Sequence, residues 1–281
     1  MTTPEFLDKA GTSSPPAIVV VKTNSNLKKL LAIVGRASMI YMELIGQHQV
    51  AYNIHGCVRL GQKNANRGWG SRGPLSVVVL RAFPNPDIFV VDMNSLGRTA
   101  LTGRTFASSS FKTVLESPRM LKVMWDLFDP VDMLWTQFGI RLQNGLDLQL
   151  VENAARKTSK FYLDTSLEVA LKTDLRLSKA ELAYNTKCRR VIEERIVLEA
   201  DLEPLSTDSP LLQYCANCVR YMPRLFFKYM DRTDGEWLTK ARNESARRIT
   251  VALGRSRDLR SPSKALGPWG TGEPFRYMNF R

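Results

Sequence analysis

The chain has 281 residues, of which 44% are hydrophobic, and its formal net charge is +13 at pH 7. The length allows one large domain or two small ones with a full core, and no apolar run is long enough to span a membrane. Four cysteines do not suggest a disulfide framework, and the N-terminus lacks the basic start and apolar block of a secretory signal. We therefore expect a cytoplasmic or nuclear protein, and the positive charge favours RNA, DNA or an acidic protein as its partner.

The first half of the chain is dominated by short apolar runs. Residues 1–16 are rich in Thr, Ser and Pro, which predicts a disordered N-terminus. Residues 17–22 are a strand candidate, and an amphipathic helix follows them. We predict the first central strand at 49–60 and two further strands at 75–81 and 88–93. Short connections here, with helices between the later strands, indicate a mixed sheet covered by helices.

The turn at 61–73 (GQKNANRGWGSRG) is longer and more basic than a tight hairpin needs. Lys63, Arg67 and Arg72 surround Trp69 in this segment. Cationic side chains around an exposed aromatic ring suit a nucleic-acid strand, through phosphate pairing and base stacking. The segment is equally consistent with a solvated loop whose Trp69 folds back onto the core.

Residues 122–150 (KVMWDLFDPVDMLWTQFGIRLQNGLDLQL) organise the second half of the chain. A buried strand is predicted at 122–125, and Pro130 can open the helix that follows the acidic turn. The apolar face of this helix contains Val131, Leu134, Trp135 and Phe138. Gly139 is placed to end the helix, and a second strand leads to Asp147, where the next helix begins. The pattern is strand, turn, helix, strand, acidic residue and helix.

This pattern resembles the 3'–5' exonuclease domain of the RNase D type, the tyrosine-containing branch of the DEDD nucleases. The phrases KVMWDLFDPVDML, QFGI and DLQL carry the resemblance, together with PLSTDSPLLQYCANCVRYMPRL at 204–225. The likeness implies an α/β, RNase H-like exonuclease fold with a mixed central sheet flanked by helices. It places the exonuclease-like domain at 17–230, and leaves a basic helix and a Gly/Pro/aromatic tail at 231–281.

The resemblance also implies a test of the chemistry, because these nucleases hold two divalent metal ions with carboxylates. The family's first motif, Asp-x-Glu-Gly, falls on the phrase that contains Asn53 and His55. The second motif's Asp falls on Pro130. The third motif, Tyr-x-x-x-Asp, keeps Tyr214 but has Cys218 in place of the acid. We therefore predict a pseudonuclease without catalytic residues, metal cofactor or small-molecule substrate.

A binding role can survive the loss of the metals, because the fold keeps its groove and basic rim. We expect the protein to bind RNA or another nucleic acid, and a protein partner, as an adaptor or scaffold in RNA processing or silencing. Besides the basic turn at 61–73, the candidate phosphate-binding residues are Arg189, Arg190, Arg247, Arg248, Arg255 and Arg257. No membrane partner is expected.

Two alternative functions stay open. The first is an active metal-dependent 3'–5' exonuclease with a relocated acidic site, for which the carboxylates available are Asp126, Asp129, Asp132 and Asp147. Two-metal chemistry needs carboxylates that converge from several elements, which these four neighbours in sequence do not guarantee. The second alternative is a module that binds proteins only.

The cysteines raise a separate possibility. If the first and third motifs meet, His55 and Cys57 would lie near Cys215 and Cys218, and one His with three Cys suits tetrahedral zinc. The simpler interpretation is a metal-free apolar plug in the vacated site, because Cys is often a small buried hydrophobic residue.

Overall fold

The computed structural model describes residues 16–46, 74–103, 110–156, 163, 166–197, 205–206, 209–254 and 269, without the side chains of 189 and 191–197. The strands are β1 (Ile18–Val21), β2 (Met39–Gly46), β3 (Leu75–Phe83), β4 (Ile88–Asp92), β5 (Leu121–Met124) and β6 (Gly145–Asp147). The helices are α1 (Asn24–Val34), α2 (Met93–Leu96), α3 (Thr99–Thr102), α4 (Phe111–Leu115), α5 (Phe128–Phe138), α6 (Leu148–Ala155), α7 (Leu167–Asp174), α8 (Lys179–Val197), α9 (Pro210–Arg220), α10 (Met222–Arg232) and α11 (Gly235–Leu253). None of these helices is long and apolar enough to cross a membrane.

The strands form one mixed sheet in the order β1-β4-β3-β2-β5-β6. Strand β2 pairs antiparallel with β3 and parallel with β5, and β6 continues the parallel half. The predicted mixed sheet is therefore confirmed. The first central strand was expected at 49–60, but the structure gives this place to Met39–Gly46, and 49–60 lies outside the described residues.

Helices cover both faces of the sheet, which explains why the position of β2 was hard to predict. On one face Tyr41 and Ile45 pack in a core shared with α9 and α10. On the other face Ile40, Met42 and Leu44 pack in a second core with α1 and α5. A strand that is buried on both sides has no polar alternation, so its sequence looks like any apolar run.

The predicted helix after β5 is present, and its end follows the expected chemistry. Gly139 adopts the left-handed conformation (φ 64°, ψ 29°), and its N–H caps carbonyls of the last turn. The helix begins at Phe128, so Pro130 lies in its first turn, where a residue without an N–H costs no hydrogen bond. Asp126, just before the helix, also has a left-handed backbone (φ 63°).

The last helix, α11, belongs to the core. It lies beyond the predicted domain end at residue 230, and its residues Ala241, Ile249 and Ala252 are buried in the two cores. Gly145 permits the close approach, because a Cβ there would lie 3.0 Å from the Ile249 Cδ1 atom. Farther along the chain, the Trp269 indole Nε1 donates a 2.7 Å hydrogen bond to Asn153 Oδ1.

Candidate functional site

The candidate site lies where α9 crosses the centre of the sheet. Along β2, Tyr41, Glu43 and Ile45 alternate onto the face that packs against α9. Glu43 is 5% exposed, so this strand carries a buried carboxylate between two buried neighbours. The site therefore combines one acidic group with buried side chains that are mainly apolar, apart from the Tyr41 hydroxyl and the Asn217 amide on α9.

Two thiols of α9 lie within electrostatic range of Glu43. Burial raises the pKa of the Cys215 thiol, and the Glu43 charge raises it further. The pKa of Cys218 is raised well above its ordinary value by burial, by the Glu43 charge and by Cys215. The Cys218 Sγ–H donates to the Tyr214 carbonyl oxygen at 3.4 Å. Without a bound metal, burial therefore keeps both groups as protonated thiols near neutral pH.

The position of β2 suggests a different first motif from the one expected. Its last four residues read Glu43-Leu44-Ile45-Gly46, and their spacing can be compared with Asp-x-Glu-Gly. In that comparison Glu43 stands for the Asp, Ile45 stands for the Glu, and the glycine is kept. Glu43 was not among the residues predicted from the sequence, and the glycine that closes the phrase was the signal that could have found it.

The expected positions Asn53 and His55 lie outside the described residues, as does Cys57. Pro130, at the second-motif position, is buried in the first turn of α5 directly after β5. It offers no side-chain oxygen. Tyr214 and Cys218, the predicted third-motif residues, both lie on α9.

Two acids of the relocated-site alternative, Asp126 and Asp147, make hydrogen bonds and ion pairs with protein groups. Asp147 is fully buried, and its Oδ1 accepts from the Asp126 and Gln149 amides. Its Oδ2 accepts from the Leu127 amide at 3.2 Å and from Arg248 Nη1 at 2.8 Å. Burial raises the pKa of the Asp147 carboxyl, whereas the Arg248 charge opposes that shift. The carboxylate therefore orders the turn before α5 and ties α11 to it.

The described residues do not fit a pair of hard divalent cations. Such ions need several convergent oxygen ligands, and no group of three or more His, Cys, Asp or Glu among the described residues is arranged to hold a metal ion. Near α9, Glu43 is accompanied by protonated thiols and the apolar Ile45. Asp129 and Asp132 are buried in α5.

The basic candidates fall into three groups. Arg190 is exposed on α8, and Arg247 is exposed on α11, where it pairs with Glu244. Arg248 is 8% exposed and faces inward, so its position does not match the surface role expected from the sequence. The remaining candidates lie outside the described part or, for Arg189, have no described side chain: Lys63, Arg67, Trp69, Arg72, Arg189, Arg255 and Arg257.

Comparison with known proteins identifies the fold. No family model matches the chain, and no curated protein matches it. Trypanosoma brucei RNase D in complex with RNA U12 aligns with a TM-score of 0.63 at 16% identity, over 90% of this chain and 80% of that chain. Escherichia coli RNase D, an exoribonuclease involved in structured RNA processing, aligns with a TM-score of 0.54 at 14% identity, over 84% of this chain and 50% of that chain. Brucella melitensis NrnC bound to pGG aligns with a TM-score of 0.53 at 14% identity, over 88% of this chain and 100% of that chain. The fold is that of the RNase D-like exonuclease domains.

Proposed function

We propose that this protein is a pseudonuclease: it keeps the 3'–5' exonuclease fold, lacks two-metal hydrolysis, and binds RNA together with a protein partner as an adaptor or scaffold. The observation that carries the proposal is the composition of the site under α9. One buried carboxylate, Glu43, sits near the protonated thiols of Cys215 and Cys218. Two-metal hydrolysis needs several carboxylates to hold and charge-balance the ions.

Three of the four motif positions carry no carboxylate when Glu43 is taken as the first. Ile45 and Pro130 have no ligand atom in their side chains, and Cys218 is a soft thiol where a hard oxygen is needed. Ile45 and Pro130 are also both buried, so neither position is open to solvent. Restoring one acid would therefore not restore the site.

Nucleic-acid binding is supported by two independent features. The net charge of +13 creates a positive field that attracts polyanions. The fold is shared with RNase D in complex with RNA U12. A role in RNA processing or silencing, in the cytoplasm or the nucleus, would follow from the RNA and the protein that the chain recruits.

A degradation assay tests the loss of chemistry. The purified protein is incubated with 5'-labelled single-stranded RNA and DNA in Mg²⁺ or Mn²⁺, with an active RNase D as positive control. We expect full-length oligonucleotide to persist while the same RNA is retained in a binding assay. Cleavage that disappears in Glu43→Gln would show that the site is still catalytic, and cleavage that disappears in Asp126→Ala would support a relocated site. If the protein retains no RNA but still captures a protein partner, the result would support the alternative of a module that binds proteins only.

A further inference from the structure

We propose that a basic face on α8, α9 and α10 holds the phosphate backbone of single-stranded RNA, an inference that rests on the RNA binding proposed above. The face consists of Arg176, Lys187, Arg220, Arg224, Lys228 and Arg232.

Helix geometry brings these cations together. Arg224, Lys228 and Arg232 recur every four residues on α10, so they follow one side of the helix at intervals of roughly 6 Å. Arg220 precedes them by four residues, at the end of α9. Such a row suits a linear series of phosphates better than a single small anion.

Contacts with Asp174, at the end of α7, fix the position of this row against the neighbouring loop. Asp174 Oδ1 lies 3.4 Å from Arg232 Nη1 and 3.9 Å from Lys228 Nζ. The Tyr229 hydroxyl donates to Asp174 Oδ2 at 2.9 Å. Arg176 follows Asp174 by two residues, which places it beside the row.

The carboxylates near this face do not balance its charge. Besides Asp174, they are Glu181, which accepts from the Ser178 amide at 2.8 Å, and the exposed Asp231. These six cations therefore outnumber the three carboxylates named, counted over the side chains that the structure describes. Among the described residues, Arg176 and Arg224 form no ion pair with any of them. The neighbouring positive charges also affect Lys228. Its pKa is lowered by burial and by the charges of Arg232, Arg176 and Arg224.

An exposed aromatic ring adjoins the cations. Tyr184 on α8 is 44% exposed and lies within electrostatic range of Arg220. Lys187 and Arg220 both lie near Cys188, which connects α8 to the row. An exposed ring beside a track of cations can stack a base while the phosphates pair with the cations. This combination favours RNA over an acidic peptide, which has no base to stack.

The test uses a fluorescent 12-nucleotide oligo(U) and a salt titration. The triple variant Arg176→Gln/Arg224→Gln/Arg232→Gln is compared with a matched triple that removes exposed cations elsewhere, Lys29→Gln/Arg36→Gln/Arg119→Gln. For single strands, each lost phosphate contact lowers the slope of log K against log salt by about 0.7, so three contacts lower it by about 2. We expect the basic-face triple to bind about tenfold more weakly at low salt, and the control to stay within about twofold of wild type.

Two further variants keep the result interpretable. Arg176→Gln/Arg224→Gln breaks no ion pair among the described residues, so its loss of binding cannot come from the Asp174 contacts. Tyr184→Leu removes the ring and should weaken binding roughly fivefold or more without changing the salt slope.

The outcomes separate this inference from the proposed function. If wild type binds oligo(U) and the basic-face triple binds as well as the control triple, the inference is overturned and RNA binding stands. If wild type binds no RNA, both are overturned. If a 12-residue poly-Glu peptide binds the face more tightly than oligo(U) does, the inference is overturned in favour of a protein partner.

Discussion

Arg248 Nη1 lies 2.8 Å from Asp147 Oδ2 in the interior of the domain. The same guanidinium reaches Asp126 Oδ1 at 3.8 Å and, through Nε, Glu244 Oε1 at 3.5 Å. The Ser245 hydroxyl beside it accepts from the Asp147 amide at 3.1 Å. One turn of α11 therefore supplies the charge and the acceptor that organise the junction between β5, β6 and α5.

Removing Arg248 should destabilise the fold strongly. Arg248→Ala leaves the fully buried Asp147 carboxylate without its counter-charge, and we expect a loss of about 3–5 kcal/mol in the free energy of unfolding. The adjacent Arg247→Ala is the matched control, because Arg247 is exposed and its pair with Glu244 is worth less than about 1 kcal/mol. Urea unfolding of both variants measures the difference. Equal losses of stability would contradict the role of Arg248 as the buried counter-charge of Asp147.

Lys122 should make stability rise at alkaline pH. It is buried, its Nζ donates to the Ser117 and Gln143 carbonyls, and burial lowers its pKa to about 8. Between that value and the usual lysine pKa of about 10.4, the unfolded chain holds a proton that the folded chain has released, so this group adds stability as pH rises.

The comparison of wild type with Lys122→Met isolates this effect from other titrating groups. The stability of wild type relative to the variant should increase from pH 8 to pH 10, with a slope of at most about 1.4 kcal/mol per pH unit. A constant difference across this range would mean that Lys122 keeps its ordinary pKa.

The thiol of Cys215 should make the free energy of unfolding fall, not rise, at alkaline pH. Its pKa is raised by burial, so the unfolded chain ionises first, above about pH 8.5. The contribution of Cys215 is complete below that pH and is lost as pH rises further. Relative to Cys215→Ala, wild type should lose stability between pH 8.5 and 10. Rapid reaction of Cys215 with a thiol reagent in the native protein at pH 7.5, measured by peptide mapping, would contradict its burial.

Trp269 lies beyond the predicted end of the domain at residue 230, yet it should stabilise the domain. Its ring packs edge-on against Trp237, with centroids 5.5 Å apart, and its indole donates to the fully buried Asn153. We expect Trp269→Ala to lower the free energy of unfolding by about 2 kcal/mol through lost aromatic contact and a lost hydrogen bond. Trp269→Phe keeps the ring without the N–H, so it should recover part of that loss in a thermal unfolding assay.

Local chemistry made the α5 region predictable from sequence. Pro130 and Gly139 have strong preferences for the start and the end of a helix. The structure ends the helix at Gly139 as predicted but begins it at Phe128, two residues before Pro130. The apolar runs at 75–81 and 88–93 also correspond to strands. In each case the signal comes from residues that are close in sequence.

Long-range relationships were not predictable in the same way. The run that forms β2 shows no alternation, because both of its faces are buried, and so Glu43 was passed over. Arg248 looked like one more surface cation in a basic segment, since nothing local distinguishes a guanidinium that pairs with Asp147. The basic face depends on α8, α9 and α10 meeting in space, which helical spacing alone does not reveal.

The ion pair between Asp147 and Arg248 spans 101 residues of sequence. During synthesis, the ribosome therefore exposes β5, α5 and β6 long before the cation that completes their junction emerges. Domains generally fold as units, and an incomplete domain exposes surface that promotes aggregation. A nascent chain stopped before Gly235 should consequently remain a chaperone client, and only release of α11 from the exit tunnel allows the domain to close.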